Sequence, residues 1–193
     1  MSDPEQADEM TPDRWTKSTV RADMWVDPDD DVREAAQVEG ERDTILDYLR
    51  RYRLTLRMKC EDLDAEQLAR RSVPPSTMSL LGLLRHMVEV ERHWFRRHLA
   101  GEDAPQLYCT AEDRDGDWNG AVADPTVVAD AWQQWEAEVA NSEAYMAEHL
   151  DLGERGVGGV PLRDVLIHLI EEYARHCGHA DLLRERIDGR IGQ

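Results

Sequence analysis

Hydrophobic residues recur at helical spacing in four stretches of the chain, and polar residues fill the positions between them. The stretches begin at the segment ERDTILDYLRRYRL after Gly40, at about Met78, after Pro125 and near Pro161. Apolar side chains three and four residues apart share one face of an α-helix, so each stretch predicts an amphipathic helix. The pattern therefore predicts an all-α fold, an antiparallel four-helix bundle whose last helix ends at about Ile187.

Proline, glycine and acidic residues separate these predicted helices. The segment LDAEQLARRSVPPS is interpreted as a short connector after the first helix. Its proline pair at 74–75 predicts a stop, and Ser76 or Thr77 a new N-cap for helix two, which we expect to end at Leu99. Residues 101–125 lack sustained periodicity and predict a long loop between helices two and three. A loop of that length in a compact domain is often functional.

The chain ahead of the first helix has a different composition. Residues 1–35 are polar, acidic and interrupted by three prolines. We interpret them as an acidic N-terminal arm, partly flexible, and assign the bundle to residues 36–193. Trp15, Met24 and Trp25 either pin part of the arm to the bundle or rest on its surface, and the sequence favours neither outcome.

Charge and cysteine content exclude several classes of protein. With 41 acidic residues against 23 Lys and Arg, the formal net charge is −18, which opposes binding to nucleic acid or to anionic lipid. The three cysteines, Cys60, Cys109 and Cys177, form no CxxC pair, which argues against a disulfide framework. No apolar stretch is long enough to span a bilayer, and the N-terminus lacks the features of a signal peptide. We expect a cytoplasmic protein with no nucleic-acid or membrane partner.

Helical angles sort the histidines of the fourth predicted helix. With about 100° per residue and His168 set at zero, one apolar stripe lies between roughly 60° and 140°, formed by Leu162, Val165, Tyr173, Leu183 and Ile187. On the same scale His176 lies at about 80°, Glu172 at about 40° and His179 at about 20°. The periodicity predicts that His176 and Glu172 point most nearly inward.

A buried carboxylate beside a buried imidazole suggests a metal site. Each group loses hydration in an apolar interior, and a bound cation offsets that cost. The alternatives are a direct hydrogen bond between Glu172 and His176, or an ion pair of Glu172 with an arginine such as Arg85. In helix two, His86 lies at the margin of the apolar side and becomes a candidate ligand only if it converges with the pair on helix four. Two imidazoles and one carboxylate suit zinc or a related divalent ion.

Other polar residues are harder to interpret. His93 is expected nearer the surface, and Glu91 lies on the inward side of helix two without an evident partner. The aspartates of the long loop, among them Asp117, are interpreted as a solvated acidic loop because the spacing does not match a calcium loop. Trp118 is either a lid over the metal or an exposed aromatic residue, and Cys177 is expected to be a packing residue.

Three stretches of the chain resemble one family. They are GERDTILDYLRRYRLTLRMKCEDLDAEQL, VPPSTMSLLGLLRHMVEVERHWFRRHLAGED and LIHLIEEYARHCGHADLLRE. Over roughly residues 39–187 the chain is similar to the DinB-like superfamily, in its actinobacterial domain-of-unknown-function branch related to mycothiol-dependent S-transferases and maleylpyruvate isomerases. The resemblance implies a metal at one end of the bundle with His86, Glu172 and His176 as ligands, and often a homodimer. Many relatives have histidine where this chain has Glu172, whereas the isomerases are similar to it in using glutamate.

The resemblance also implies an activity. The leading expectation is a metal-dependent thiol S-transferase that conjugates mycothiol or a similar low-molecular-weight thiol to an electrophile. A mycothiol-dependent isomerase is a second possibility, which a cluster formed by Arg53, Arg57 or Arg85 would favour by binding an anionic substrate. A hydrolase that uses a metal-activated water is a third. A non-enzymatic metal-binding bundle is the fourth.

Overall fold

The computed structural model describes residues 25–26, 30–34 and 37–192, and this part of the chain contains helices and irregular segments but no β-strand. The helices are α1 (Glu41–Cys60), α2 (Ala65–Ala69), α3 (Leu80–Arg92) with a π-helical continuation (His93–Leu99), α4 (Gly116–Asn119), α5 (Pro125–Glu148) and α6 (Leu162–Asp188). The predicted all-α fold is confirmed. None of these helices combines the length and the apolar character required to cross a bilayer.

Local signals account for most helix ends. The side chain of Asp124 accepts a hydrogen bond from the Thr126 N–H, so it caps α5, and Pro125 occupies the first turn. Gly189 ends α6 in the left-handed conformation with a φ of 79°, where a residue without a Cβ fits best.

The predicted start of helix two is wrong by a few residues. The hydroxyl of Ser76 accepts a hydrogen bond from the N–H of Met78, two residues on, which closes a local turn and leaves this hydroxyl unavailable to a helix. The N-cap is Ser79, whose Oγ accepts from the Gly82 N–H at 3.1 Å. Helix α3 therefore begins at Leu80.

Both predicted connections contain a short helix. In the connector after α1, Asp64 and Gln67 exchange side-chain and backbone hydrogen bonds in a capping box that starts α2. In the loop at 101–125, residues Gly116–Asn119 form α4. The sequence prediction missed both helices because neither is long enough to show a repeated apolar pattern.

The long helices bury their apolar faces against one another. Helix α1 packs against α6, and α3 packs against both α5 and α6. The shared core is rich in leucine and includes Leu56 of α1, Leu84 of α3, Trp135 of α5 and Leu169 of α6, all buried. Removal of this apolar surface from water supplies the main favourable contribution to folding.

A polar network crosses the middle of this core. Glu91 is fully buried and accepts two hydrogen bonds from Arg53, each 2.9 Å long. Tyr173 donates to the same carboxylate at 2.8 Å, and Trp135 donates to the hydroxyl of Tyr173 at 3.0 Å. Arg53 also donates to Ser142 at 2.7 Å. The network joins α1, α3, α5 and α6, and it explains the inward position of Glu91.

Trp25, in the segment predicted as an N-terminal arm, is anchored in the described structure. Trp25 is 4% exposed, and the Nζ of Lys59 lies 3.7 Å from the centre of its indole ring, a distance that permits a cation–π interaction. Residues 1–24 lie outside the described residues, and with them the expectations for Trp15 and Met24.

The buried ion pair generates a first prediction. We expect Glu91→Ala to lower the free energy of unfolding by about 3–5 kcal/mol, because Arg53 keeps its buried charge without the carboxylate that accepts two of its hydrogen bonds. Urea unfolding followed by circular dichroism measures the change. Glu61→Ala is the control, since Glu61 is exposed and lies 3.9 Å from Arg57, and we expect it to cost less than about 0.5 kcal/mol. Equal losses in the two variants would contradict the prediction.

Candidate metal centre

Three side chains from two helices converge at one point. Helix α3 supplies His86, and α6 supplies Glu172 and His176, four residues and one helical turn apart. One ligand atom from each of the three lies within 4.8 Å of the others, and no further group of this kind occurs in the described residues. The structure thus brings together the three residues that the sequence singled out.

Exposure follows the order that the helical angles predicted. The side chain of His176 is 10% exposed and that of Glu172 20%, whereas that of His168 is 36% exposed. His168 and His179 border the site: His168 Nε2 lies 3.5 Å from a Glu172 oxygen, and His179 Nδ1 lies 3.3 Å from His176 Nδ1. Neither belongs to the converging set.

His176 stays neutral over the physiological range. Its burial lowers the pKa of the imidazole to about 4, and the neighbouring His86 and His179 contribute to the shift in the same direction. A neutral imidazole retains the lone pair that a metal ion requires. The Nε2 atom of His176 lies 3.4 Å from a Glu172 oxygen, which places nitrogen and carboxylate donors side by side.

Asp117 contacts the imidazole of His86. Its Oδ2 lies 2.9 Å from His86 Nδ1, and the residue is 4% exposed. Because a carboxylate only accepts hydrogen bonds, His86 donates from Nδ1, and in a neutral ring this arrangement leaves the lone pair on Nε2. A carboxylate behind a histidine ligand is a frequent arrangement in metal sites. The interpretation of Asp117 as part of a solvated loop is therefore wrong. The sequence could not indicate that Asp117 is buried, because a loop without periodicity has no pattern that distinguishes buried from exposed positions.

Trp118 packs over His86. Its indole stacks on the imidazole with ring centroids 5.2 Å apart and an interplanar angle of 26°, and it lies 6.3 Å from the ring of His176. Gly82 makes this close packing on α3 possible, since a Cβ there would lie 2.7 Å from the indole. Trp118 is half-buried against the helix and covers one side of the site.

The arginines that the sequence suggested as partners of Glu172 or of an anionic substrate have other hydrogen-bond partners in the structure. Arg85 donates to the backbone carbonyls of Asp117 and Gly116, and none of its hydrogen bonds goes to Glu172. The alternative of an ion pair between Arg85 and Glu172 is therefore wrong. Arg53 is bound to Glu91 in the core.

His93 and Cys177 contact residues other than the three converging side chains. The ring of His93 lies 4.4 Å from that of His98 within the π-helical segment. Cys177 is buried, its sulfur lies 3.6 Å from the Tyr52 carbonyl, and burial raises the pKa of its thiol to about 12. That environment suits a packing residue, because a thiol with such a pKa is poorly nucleophilic.

The model of the mycothiol-S-transferase family matches residues 44–189. The chain belongs to this family. The resemblance to the mycothiol-related branch, predicted from three sequence stretches, is thus confirmed. No curated protein and no solved structure matches the chain. The span that matches the mycothiol-S-transferase family contains His86, Glu172 and His176, and also Asp117 and Trp118.

The donor set in this mycothiol-S-transferase relative has definite chemical preferences. Two imidazoles and one carboxylate suit a divalent transition ion, and three protein ligands leave at least one coordination position for a substrate. A closed structural zinc site instead has four protein ligands. The arrangement is therefore typical of a site that binds a substrate.

The contact between Gly82 and Trp118 is testable. We expect Gly82→Ala to destabilise the protein by roughly 1–3 kcal/mol, because the added methyl group collides with the indole. In a Trp118→Ala background the same substitution should cost less, because the clash with the indole is gone and only the 3.2 Å contact with the Ser79 Oγ remains, against which the higher helix propensity of alanine acts. Urea unfolding of the four proteins of this cycle gives both values. An equal effect of Gly82→Ala in the two backgrounds would show that the indole does not pack there.

Proposed function

We propose that the chain is a metal-dependent thiol S-transferase that conjugates mycothiol, or a similar low-molecular-weight thiol, to an electrophile. The convergence of His86, Glu172 and His176 within 4.8 Å carries the proposal, because these donors lie in the span that matches the mycothiol-S-transferase family. The family match is the reason to propose a thiol substrate, and the donor set is the reason to propose a metal ion.

The same proposal includes the fold around the site. We infer that α1, α3 with its π-helical continuation, α5 and α6 form an antiparallel four-helix bundle. The packing of α1 on α6, and of α3 on both α5 and α6, supports this arrangement. The division into an arm (1–35) and a bundle (36–193) stays a prediction.

The residues present fit a divalent ion. The side chain of Glu172 is 20% exposed and lies 3.5 Å from the imidazole of His168 and 3.4 Å from that of His176, and no Lys or Arg side chain is beside its charge among the contacts of the described residues. A dication offsets the hydration that this carboxylate loses. We propose zinc, which binds nitrogen and oxygen donors of this kind. When bound, the ion lowers the pKa of a thiol and so favours the nucleophilic thiolate.

The protein side chains then hold the metal-binding atoms in place and cover the site. Glu172 and His176 present their donor atoms from one turn of α6, and Asp117 keeps the lone pair of His86 Nε2 free. Trp118 shields one side of the site from water. In the transfer, the thiol loses its proton to solvent, its sulfur forms a bond to the electrophilic carbon, and the leaving group departs with its electron pair.

The alternatives have less support. An isomerase acting on an anionic acid would use arginine side chains to bind the acid, yet Arg53, Arg57 and Arg85 donate their hydrogen bonds to Glu91, Glu136 and loop carbonyls, respectively. A hydrolase would share the donor set, but the family match favours a thiol as the nucleophile. The cytoplasmic location and the homodimer stay predictions, as does the absence of nucleic-acid and membrane partners.

Metal content tests the donor set. We expect protein purified without a histidine tag to hold one zinc ion per chain, as measured by inductively coupled plasma mass spectrometry. Glu172→Ala and His176→Ala should lose it, because each removes one of three ligands. Glu171→Ala is a matched control, since Glu171 is an exposed carboxylate on the neighbouring position of α6. Wild-type protein without bound metal would contradict the proposal.

Activity tests the reaction class. With mycothiol or another low-molecular-weight thiol present, we expect loss of a bimane or chlorodinitrobenzene electrophile, and no loss with water alone. Glu172→Ala should reduce this rate by roughly 100-fold or more, because metal activation is worth several kcal/mol of barrier. Glu171→Ala should keep the wild-type rate. Turnover without any thiol would instead identify a hydrolase.

A further inference from the structure

One face of α3 holds the long loop at 101–125 through polar side chains. Glu89 is buried, and its Oε1 accepts hydrogen bonds from the backbone N–H groups of Leu107 at 2.7 Å and Tyr108 at 2.6 Å. Charge-assisted bonds of this kind are among the stronger ones in proteins. Glu89 therefore fixes the first half of the loop on the helix.

Arg85, one turn earlier, fixes the second half. Its Nε donates to the carbonyl of Asp117 at 2.9 Å, and its Nη2 donates to the carbonyl of Gly116 at 3.0 Å. The guanidinium carbon lies 3.8 Å from the centre of the Tyr108 ring. The two halves of the loop thus meet at one buried arginine.

The loop also packs closely at two glycines. A Cβ at Gly116 would lie 2.2 Å from the Tyr108 carbonyl oxygen, and one at Gly120 would lie 2.6 Å from a nitrogen of Arg85. Backbone approaches of this kind need glycine. The position of Asp117 between these two glycines is therefore determined by its surroundings.

His86 stands between the two attachment points on α3. Its Nδ1 is bonded to Asp117, which is 31 residues away in the chain. The other oxygen of Asp117 accepts from the Trp118 N–H at 3.0 Å, which restricts rotation of the carboxylate. The imidazole is consequently held by the loop on one side and stacked under Trp118 on another.

We propose that Asp117 is a positioning residue for the metal centre, and that order in the loop at 105–120 and metal affinity are coupled through it. The inference rests on the proposed metal function of His86. Asp117 keeps His86 in the tautomer and orientation that direct Nε2 towards Glu172 and His176, and Arg85 and Glu89 keep Asp117 in place.

Coupling of this kind acts in both directions. If an ordered loop strengthens metal binding, metal binding must stabilise the ordered loop by the same free energy. A residue that served only the fold would change stability without linking the two. The coupling therefore has a signature other than activity.

Zinc affinity, measured by competition with a chromophoric chelator, tests the role of Asp117. We expect Asp117→Ala to bind zinc about 10–100-fold more weakly than wild type, the usual effect of losing a carboxylate behind a histidine ligand. Asp117→Asn keeps a hydrogen-bond acceptor without the charge, so it should show a smaller loss. Asp113→Ala is the matched control: its carboxylate bonds Asn119 in the same loop and not a ligand, and it should bind zinc as wild type does.

The outcomes separate this inference from the proposed function. Wild-type protein that binds no zinc overturns the metal site itself. Wild-type protein that binds zinc while Asp117→Ala binds it equally well overturns the positioning role alone, as does an equal loss in Asp113→Ala. If Asp117→Ala does not fold, Asp117→Asn takes its place: weaker zinc binding than wild type supports the positioning role, and an affinity equal to that of wild type overturns it.

Hydrogen exchange tests the reverse direction in the intact protein. We expect zinc to slow amide exchange in residues 105–120 of wild type and of Asp113→Ala, but not in Asp117→Asn to the same degree. Exchange in α6 next to Glu172 reports binding itself. Slower exchange in α6 with no change in the loop of the wild-type protein would overturn the coupling.

Discussion

The charge of Glu91, buried at the centre of the helices, is the constraint around which the core is arranged. A carboxylate without solvent needs a cation and further donors, and Arg53 of α1 and Tyr173 of α6 supply them. Tyr173 is the residue after Glu172, so the hydrogen bond that turns its hydroxyl inward also sets the rotation of α6. With that rotation fixed, Glu172 and His176 project to the side where α3 supplies His86. The buried ion pair and the candidate metal centre therefore share one geometric cause.

Helix α3 serves two purposes with different faces. Glu91 and His86 are five residues apart, which separates them by about 140° around an α-helix. The inward face completes the core network, while Arg85, His86 and Glu89 face the long loop. A helix placed between a hydrophobic core and an ordered loop can hold a ligand rigidly at its margin. This explains how His86 is both half-exposed and well oriented.

Periodic features of the molecule could be predicted from the sequence, and pairings between distant residues could not. Apolar spacing gives the four long helices, and helical angles rank His176 and Glu172 above His168. His86 gave only a marginal signal from its own helix, and its selection depended on the family resemblance. The partners of Glu91 and His86 lie 38 and 31 residues away, in one case in an aperiodic loop, so no local pattern reveals them. The sequence prediction missed the N-cap at Ser79 because Ser76 and Thr77 also have hydroxyl groups that can cap a helix and lie closer to the proline pair.

The π-helical segment His93–Leu99 rotates the residues after α3 about the helix axis, relative to the positions that a continuous α-helix would give them. Hydrogen bonds from residue i to i+5 widen the turn, so His93 and His98 lie next to each other, with ring centroids 4.4 Å apart and an interplanar angle of 59°. Five residues of an α-helix would instead separate them by about 140°. The widened turn accommodates roughly one extra residue. A relative that remains α-helical at this point would superpose on this chain only with a single-residue gap near the end of the helix, and an ungapped alignment would pair each residue beyond it with the wrong neighbour.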